Sequence, residues 1–233
     1  MPLPQALLFD NDGVLVQSEP LHRKAWALVM ADLGLPFREE DILPLIGKTA
    51  PQTLNILLGK YRPGWSEKDY PLDALALRKN DYYLQIQKTE LHAYPGIPEG
   101  LAWCQSRGIR MAVVSNAKKR ELETVLSHLG LARFFEALVS RDDVPAPKPD
   151  PMAYLFGAAC IETDPQNCIA IEDSPPGLES ALRAQVPSAA VLTTFARPHL
   201  ETPVPGRPDL KPTWIGAVPA AFFEWLKSRE NSA

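Results

Sequence analysis

The stretch Ala6-Leu7-Leu8-Phe9-Asp10-Asn11-Asp12-Gly13 decides the fold. Four apolar residues stop abruptly at acidic and turn-forming ones, the pattern of a buried strand feeding a loop. Similar apolar runs recur at residues 109–114, 137–139, 168–171 and 189–192. Amphipathic stretches lie between the later runs. Residues 120–129 set Leu122, Val125, Leu126 and Leu129 on one helical face, and residues 152–161 and 178–184 behave alike. Strands alternating with helices predict an α/β fold in which a parallel sheet is covered on both faces.

One section breaks the alternation. Residues 19–92 carry helical patterns and no convincing strand. Residues 21–33 repeat apolar positions at Ala25, Leu28, Val29 and Leu33, with Gly34 placed to end the helix. Residues 53–58 and 74–86 predict two more helices. The expected organisation is therefore a catalytic core of residues 1–17 and 93–233, interrupted by a helical cap of residues 18–92. Tyr94-Pro95-Gly96-Ile97-Pro98 returns the chain to the sheet. The proline-rich residues 197–219 read as an irregular surface segment, and residues 220–226 as a closing helix.

Composition narrows the function. The chain has 233 residues, is 45 % hydrophobic and 22 % charged, and carries a net charge of -4. That balance suits a globular protein with a real core and gives no electrostatic reason to expect nucleic acid or an anionic membrane as partner. Cys104, Cys160 and Cys168 form no CxxC pair and have no histidine at metal spacing, which argues against zinc or a disulfide framework. No apolar run reaches the roughly 18 residues of a membrane span. Met1-Pro2-Leu3-Pro4 lacks the basic start and long apolar stretch of a secretion signal, so a cytoplasmic location is expected. A monomer needs the fewest assumptions.

The polar residues fall where chemistry is done. Asp10, Ser115 and Glu172-Asp173 each follow an apolar run directly, and Lys148 lies in the loop after another. In a parallel sheet those strand ends share one edge, where ligands bind at a topological switch point. Carboxylates, a hydroxyl and an ammonium brought there suit phosphoryl transfer. A phosphate monoester is a dianion that repels an attacking carboxylate until positive charge offsets it. Mg²⁺ held by Asp10 and Asp173 would supply that charge, and Lys148 would act as a point cation. Ser115 and backbone N–H groups near Asp12 could donate to the phosphoryl oxygens. Asp10 would attack phosphorus, and Asp12 would serve as general acid and then general base. Taken singly, each feature has a plainer reading. Asp10-Asn11-Asp12-Gly13 is also a polar turn, and Lys148 a surface lysine. Ser174-Pro175 is also a helix start with Ser174 as N-cap.

In order and spacing these segments resemble the haloacid dehalogenase superfamily, in its β-phosphoglucomutase-like branch with an inserted helical cap. The matches are Phe9-Asp10-Asn11-Asp12-Gly13-Val14-Leu15, Val114-Ser115-Asn116, Lys148-Pro149 before Pro151, and Glu172-Asp173-Ser174 with Gly177 and Ala181. The resemblance implies a Rossmann-like core, Mg²⁺ and a cap that closes over substrate. It also implies a metal held by Asp10, the Asp12 backbone carbonyl and Asp173, with Glu172 close by. Asp12 argues against a dehalogenase, which lacks it. Ser18, His22, Lys48, Lys79 and Asn116 are the candidate substrate contacts. The residues matching His22 and Lys79 contact sugar phosphate in β-phosphoglucomutase, although a half-buried histidine and a solvated lysine are plainer readings here.

One departure separates two activities. The mutase carries an arginine in its cap loop that grips a second phosphate. Within Gly47-Lys48-Thr49-Ala50-Pro51 the matching place is Ala50, and Lys48 is an imperfect substitute for a bidentate grip. The expected activity is thus hydrolysis of a small phosphorylated metabolite, a sugar phosphate first, through an aspartyl-phosphate intermediate. The alternative is a β-phosphoglucomutase-like isomerase. A third reading, a non-catalytic binding protein, is opposed by the intact set Asp10, Asp12, Lys148 and Asp173. Gln17 and Gln185 also depart from the family pattern, Gln185 standing where a glycine commonly ends a helix.

Overall fold

A computed structural model describes residues 3–46 and 48–230. Six strands, β1 (Ala6–Phe9), β2 (Arg110–Val114), β3 (Ala137–Val139), β4 (Cys168–Glu172), β5 (Ser188–Val191) and β6 (Trp214–Gly216), form one sheet in the order β3-β2-β1-β4-β5-β6. Every pairing is parallel. Chain order therefore reverses on either side of β1, and the switch point lies between β1 and β4. In register, Phe9 faces Ile171 across that junction, and the Asp10 N–H bonds the Ile171 carbonyl at 3.0 Å. Asp10 and Glu172 thus leave the sheet side by side.

The chain divides into two compact units, Met1–Gln17 with His92–Ala233, and Ser18–Leu91. The regular structure among the second unit's described residues is all helical: α1 (Glu19–Asp32), α2 (Glu39–Ile42), α3 (Ala50–Tyr61) and α4 (Leu72–Glu90), with a 3₁₀ turn at Leu43–Leu45. Its core gathers Trp26, Val29, Met30, Leu54, Leu57 and Leu58. α3 starts at a capping box in which the Thr49 hydroxyl accepts from the Gln52 N–H and the Gln52 side chain accepts from the Thr49 N–H. Gly47 lies outside the described residues.

The sheet unit adds α5 (Ile97–Ser106), α6 (Lys119–His128), α7 (Met152–Cys160), α8 (Pro175–Arg183), α9 (Arg197–Glu201) and α10 (Pro219–Glu230). On one sheet face Leu8, Ala112, Val114 and Ala170 pack against Ala153, Tyr154 and Ala158 of α7 and Ala181 of α8. Phe9 points the other way, with ring centroids 5.9 Å from Phe135 and 6.2 Å from Phe223 of α10. Burying each such ring contributes about 1.5–3 kcal/mol. All residues of β1 and β4 are buried, as central parallel strands must be.

Residues 197–219 are not wholly irregular. They hold α9 and the edge strand β6, with Leu200 and Val204 buried. A three-residue edge strand of half-buried residues, Trp214-Ile215-Gly216, leaves no apolar run in the sequence. Among the described residues no helix is long and apolar enough to cross a membrane, and the three cysteines are free thiols.

Candidate active site

Lys148 organises the carboxyl edge of the sheet. Its Nζ donates to Asp10 Oδ1 at 2.7 Å, Glu172 Oε1 at 2.6 Å and the Val114 carbonyl at 2.8 Å. A fourth neighbour, the Tyr154 hydroxyl, stands at 3.3 Å. The ammonium is 4 % exposed and Glu172 fully buried, so this lysine is no surface residue. Asn116 fixes its loop: the amide oxygen accepts from the Lys148 N–H at 2.9 Å, and the amide nitrogen donates to the Lys148 carbonyl at 3.3 Å. Asn116 was expected to contact substrate. Both ends of its side chain are engaged on the backbone that carries Lys148, and in this structure it holds that loop.

Glu172, expected close to the metal, shares a cluster with Asp10 and Asp173 and is itself held by protein donors. Its Oε1 accepts from Lys148 and from the Tyr154 hydroxyl at 2.7 Å, and its Oε2 accepts from the Asp173 N–H and the Ser174 hydroxyl, each at 3.2 Å. Each Glu172 oxygen thus has two protein donors. The helix start behind it works as the sequence suggested: the Ser174 oxygen accepts from the Gly177 N–H at 3.2 Å, with Pro175 at the first helical position. Gly177 has a reason beyond the turn. A Cβ there would lie 2.0 Å from Glu172 Cδ, so only glycine lets α8 approach this carboxylate.

Asp12 is half-buried and accepts from the Asn11 side chain at 3.2 Å. The loop turns at Gly13 with φ +75°, a left-handed conformation that favours glycine. The Ser115 oxygen accepts from the Ala117 N–H at 3.0 Å, which leaves its hydrogen available to donate. Oxygen atoms of Asp10, Glu172 and Asp173 lie within 4.8 Å of one another.

That donor set fits a hard divalent cation. Asp10, Asp12, Glu172 and Asp173 bring four carboxylates to one edge against the Lys148 ammonium. Burial, then the charge of Glu172, push the Asp10 carboxyl up to about 8, with Lys148 opposing them. Burial also works against the charge on Lys148, but Asp10 and Glu172 outweigh it and hold its pKa above the ordinary lysine value. Tyr154 is held well above the usual phenol range, by burial first and then by Glu172, so it stays a neutral donor. The cluster is short of positive charge, and oxygen-rich acidic sites of this kind suit Mg²⁺.

The remaining candidates lie in the helical unit. His22, Lys48 and Lys79 line one cavity of about 260 Å³, together with Glu19, Trp26 and Ala50. Ser18 does not line it; this residue is fully buried at the start of α1. His22 stacks on Tyr83 with centroids 4.0 Å apart, and its Nδ1 lies 2.7 Å from Lys79 Nζ. Burial, then the charge of Lys79, lower the imidazole to about 3. A neutral ring accepting from Lys79 at Nδ1 carries its hydrogen on Nε2. Lys79 lies 5.6 Å from the Trp26 ring and 5.2 Å from that of Tyr83, which rules out a merely solvated helix face.

Two groups escaped the sequence reading. Tyr154 is an aromatic residue in an apolar helix, six residues after Lys148, and a buried phenol of that kind requires a hydrogen-bond partner. Thr193 and Thr194 follow β5 and reach the Gly13 turn from the opposite side.

A family profile described as haloacid dehalogenase-like hydrolase matches residues 7–191. Hexitol phosphatase B of Escherichia coli (strain K12) is 29 % identical over 187 residues, covering 80 % of this chain and 82 % of that protein. The phosphoglycolate phosphatase of Nitrosococcus oceani is 31 % identical over 182 residues, covering 78 % and 80 %. In fold, the crystal structure of β-phosphoglucomutase from Clostridium difficile aligns with a TM-score of 0.70 at 24 % identity, over 99 % of this chain and 98 % of that one. The profile spans every strand from β1 to β5 and each of the carboxylates gathered at their ends, and the chain belongs to the haloacid dehalogenase-like hydrolase family.

Proposed function

We propose that the chain is a Mg²⁺-dependent phosphatase that hydrolyses a small phosphomonoester, a sugar phosphate first, through an aspartyl-phosphate intermediate. The observation that carries the reading is the buried Lys148 ammonium, set 2.7 Å from Asp10 Oδ1 at the switch point of the sheet. It orients one carboxylate oxygen and leaves the other for attack. Asp10 and Asp173, with the Asp12 main-chain carbonyl, would hold the metal. Bound Mg²⁺ neutralises charge on the transferring phosphoryl group.

In the first half-reaction the Asp10 oxygen forms a bond to phosphorus as the ester P–O bond breaks. The leaving oxygen takes its proton from Asp12. In the second, water attacks that phosphorus and gives a proton to Asp12, and the Asp10 O–P bond breaks to release phosphate. Ser115 and Lys148 stabilise the phosphoryl oxygens throughout. Glu172 fixes Lys148, and Asn116 fixes its loop. The helical unit is the substrate-selecting cap. Its cavity offers ammonium groups from Lys48 and Lys79 and an imidazole N–H from His22, which suit polar phosphorylated carbohydrates. The activities of the related hexitol and phosphoglycolate phosphatases support hydrolysis over isomerisation.

The test is phosphate release from a panel of sugar and other small phosphomonoesters with Mg²⁺. The panel includes β-glucose 1-phosphate, with coupled detection of glucose 6-phosphate. Efficient release, abolished by Asp10→Asn and reversibly by a chelator, is expected. Conversion of β-glucose 1-phosphate without phosphate release would replace the proposal with a mutase, and an active Asp10→Asn variant would remove the nucleophile.

A further inference from the structure

Two threonines stand just beyond β5, where neither the motifs nor the proposed chemistry use them. The Thr193 hydroxyl donates to the Gly13 carbonyl at 2.5 Å and ties this loop to the turn carrying Asp10 and Asp12. The Thr194 hydroxyl is buried and has no hydrogen-bond partner. Its direction is fixed by the space around Gly13. A Cβ on that residue would lie 1.8 Å from Asp173 Oδ2 and 2.8 Å from Thr194 Oγ1. Asp173 and Thr194 therefore close on the same point from two strands, with only a glycine between them.

An unpaired buried hydroxyl is costly, and valine would fill the same volume without that cost. The hydroxyl also sits beside one of the three carboxylates whose oxygens cluster within 4.8 Å. We infer that Thr194 is a positioning residue for the metal site, its hydroxyl being a donor that the Asp173 side of the cluster engages when a divalent cation is bound. The inference rests on the Mg²⁺ reading above. Donors behind a metal ligand fix its orientation, and losing one weakens metal affinity about 10–100-fold. Thr193 serves the same turn by a different route, through the Gly13 carbonyl.

The experiment is Mg²⁺ titration calorimetry on the full chain, wild type against Thr194→Val and Thr194→Ser, with thermal unfolding in chelator. Thr194→Val is expected to raise the Kd for Mg²⁺ about tenfold. Its metal-free Tm should be unchanged or higher, because the methyl group replaces a hydroxyl without a partner. Thr194→Ser should bind Mg²⁺ within about twofold of wild type, a rescue that a packing role alone would not give. The Mg²⁺ concentration for half-maximal phosphate release should rise in parallel with Kd. Wild-type affinity in Thr194→Val, or equal weakening in Thr194→Ser, would overturn the inference while leaving the phosphatase reading intact. Failure of the wild type to bind Mg²⁺ would overturn both.

Discussion

Replacing Lys148 with methionine keeps the length of the side chain and removes its charge. Asp10 and Glu172 are then left as buried carboxylates without the cation that lies 2.7 and 2.6 Å from them. Removing one partner of a buried ion pair costs about 3–5 kcal/mol. At about 2–4 °C per kcal/mol for a chain of this size, the Tm should fall by about 6–20 °C. Glu172→Gln is destabilising for another reason. If the amide oxygen keeps the Asp173 N–H and the Ser174 hydroxyl, its NH₂ faces the Lys148 ammonium, donor against donor. In the double variant that conflict disappears. The amide NH₂ can donate to Tyr154, whose hydroxyl turns to accept. Lys148→Met/Glu172→Gln should therefore be more stable than the sum of the single losses by about 1–3 kcal/mol. Activity should not recover, because Asp10 still lacks its ammonium, and kcat should stay about 10²–10³-fold below wild type. Thermal unfolding gives the stability cycle, and phosphate release at saturating Mg²⁺ gives kcat. Strict additivity of the Tm losses, or restored turnover in the double variant, would refute the division of labour between Glu172 as anchor and Lys148 as cation.

Gln185 ends α8 with φ +60°, in a Schellman arrangement where its N–H bonds Leu182 and the Val186 N–H bonds Ala181. Gln185→Gly should relieve the left-handed strain and raise stability by about 0.5–1 kcal/mol without changing kcat, and a lower Tm would contradict this. Asp12→Ala should depress turnover of sugar phosphates far more than that of p-nitrophenyl phosphate, whose leaving group needs little protonation. Equal losses on the two substrates would count against Asp12 as general acid.

The sheet was legible where burial on both faces writes it into composition. Ala6-Leu7-Leu8-Phe9 and the run from Cys168 read as strands because both faces of a central parallel strand are covered, which favours a continuous apolar run. β6 did not, since an edge strand pairs on one side and its three residues are half-buried. Helix α5 is masked for a related reason: Tyr94-Pro95-Gly96-Ile97-Pro98 marks a turn so strongly that it hides the helix starting at Ile97. The site followed the same division. Residues that end apolar runs, Asp10, Ser115, Glu172 and Asp173, could be placed on one edge from strand logic alone. Their partners could not. Tyr154 meets Glu172 because α7 folds back over β1 and β2, and nothing local in Met152-Ala153-Tyr154-Leu155 reports that return.

Glu172 and Asn116 show why the partners of such residues are hard to read from sequence. Sequence motifs record that a polar residue is required at a strand end, but they do not record what it faces. Asn116 reaches 32 positions along the chain to clamp Lys148, and Lys148 reaches 138 positions to Asp10. Each buried polar atom must find a partner or bear the cost of desolvation. Lys148 meets that demand with Asp10, Glu172 and Val114, and Glu172 meets it with Lys148, Tyr154, Asp173 and Ser174. With Glu172 held by four protein donors, Asp10 and Asp173 remain beside it as carboxylates whose oxygens lie within 4.8 Å of its own. Glu172, which shares the cluster with Asp10 and Asp173, is thus the carboxylate whose burial the protein itself compensates most fully.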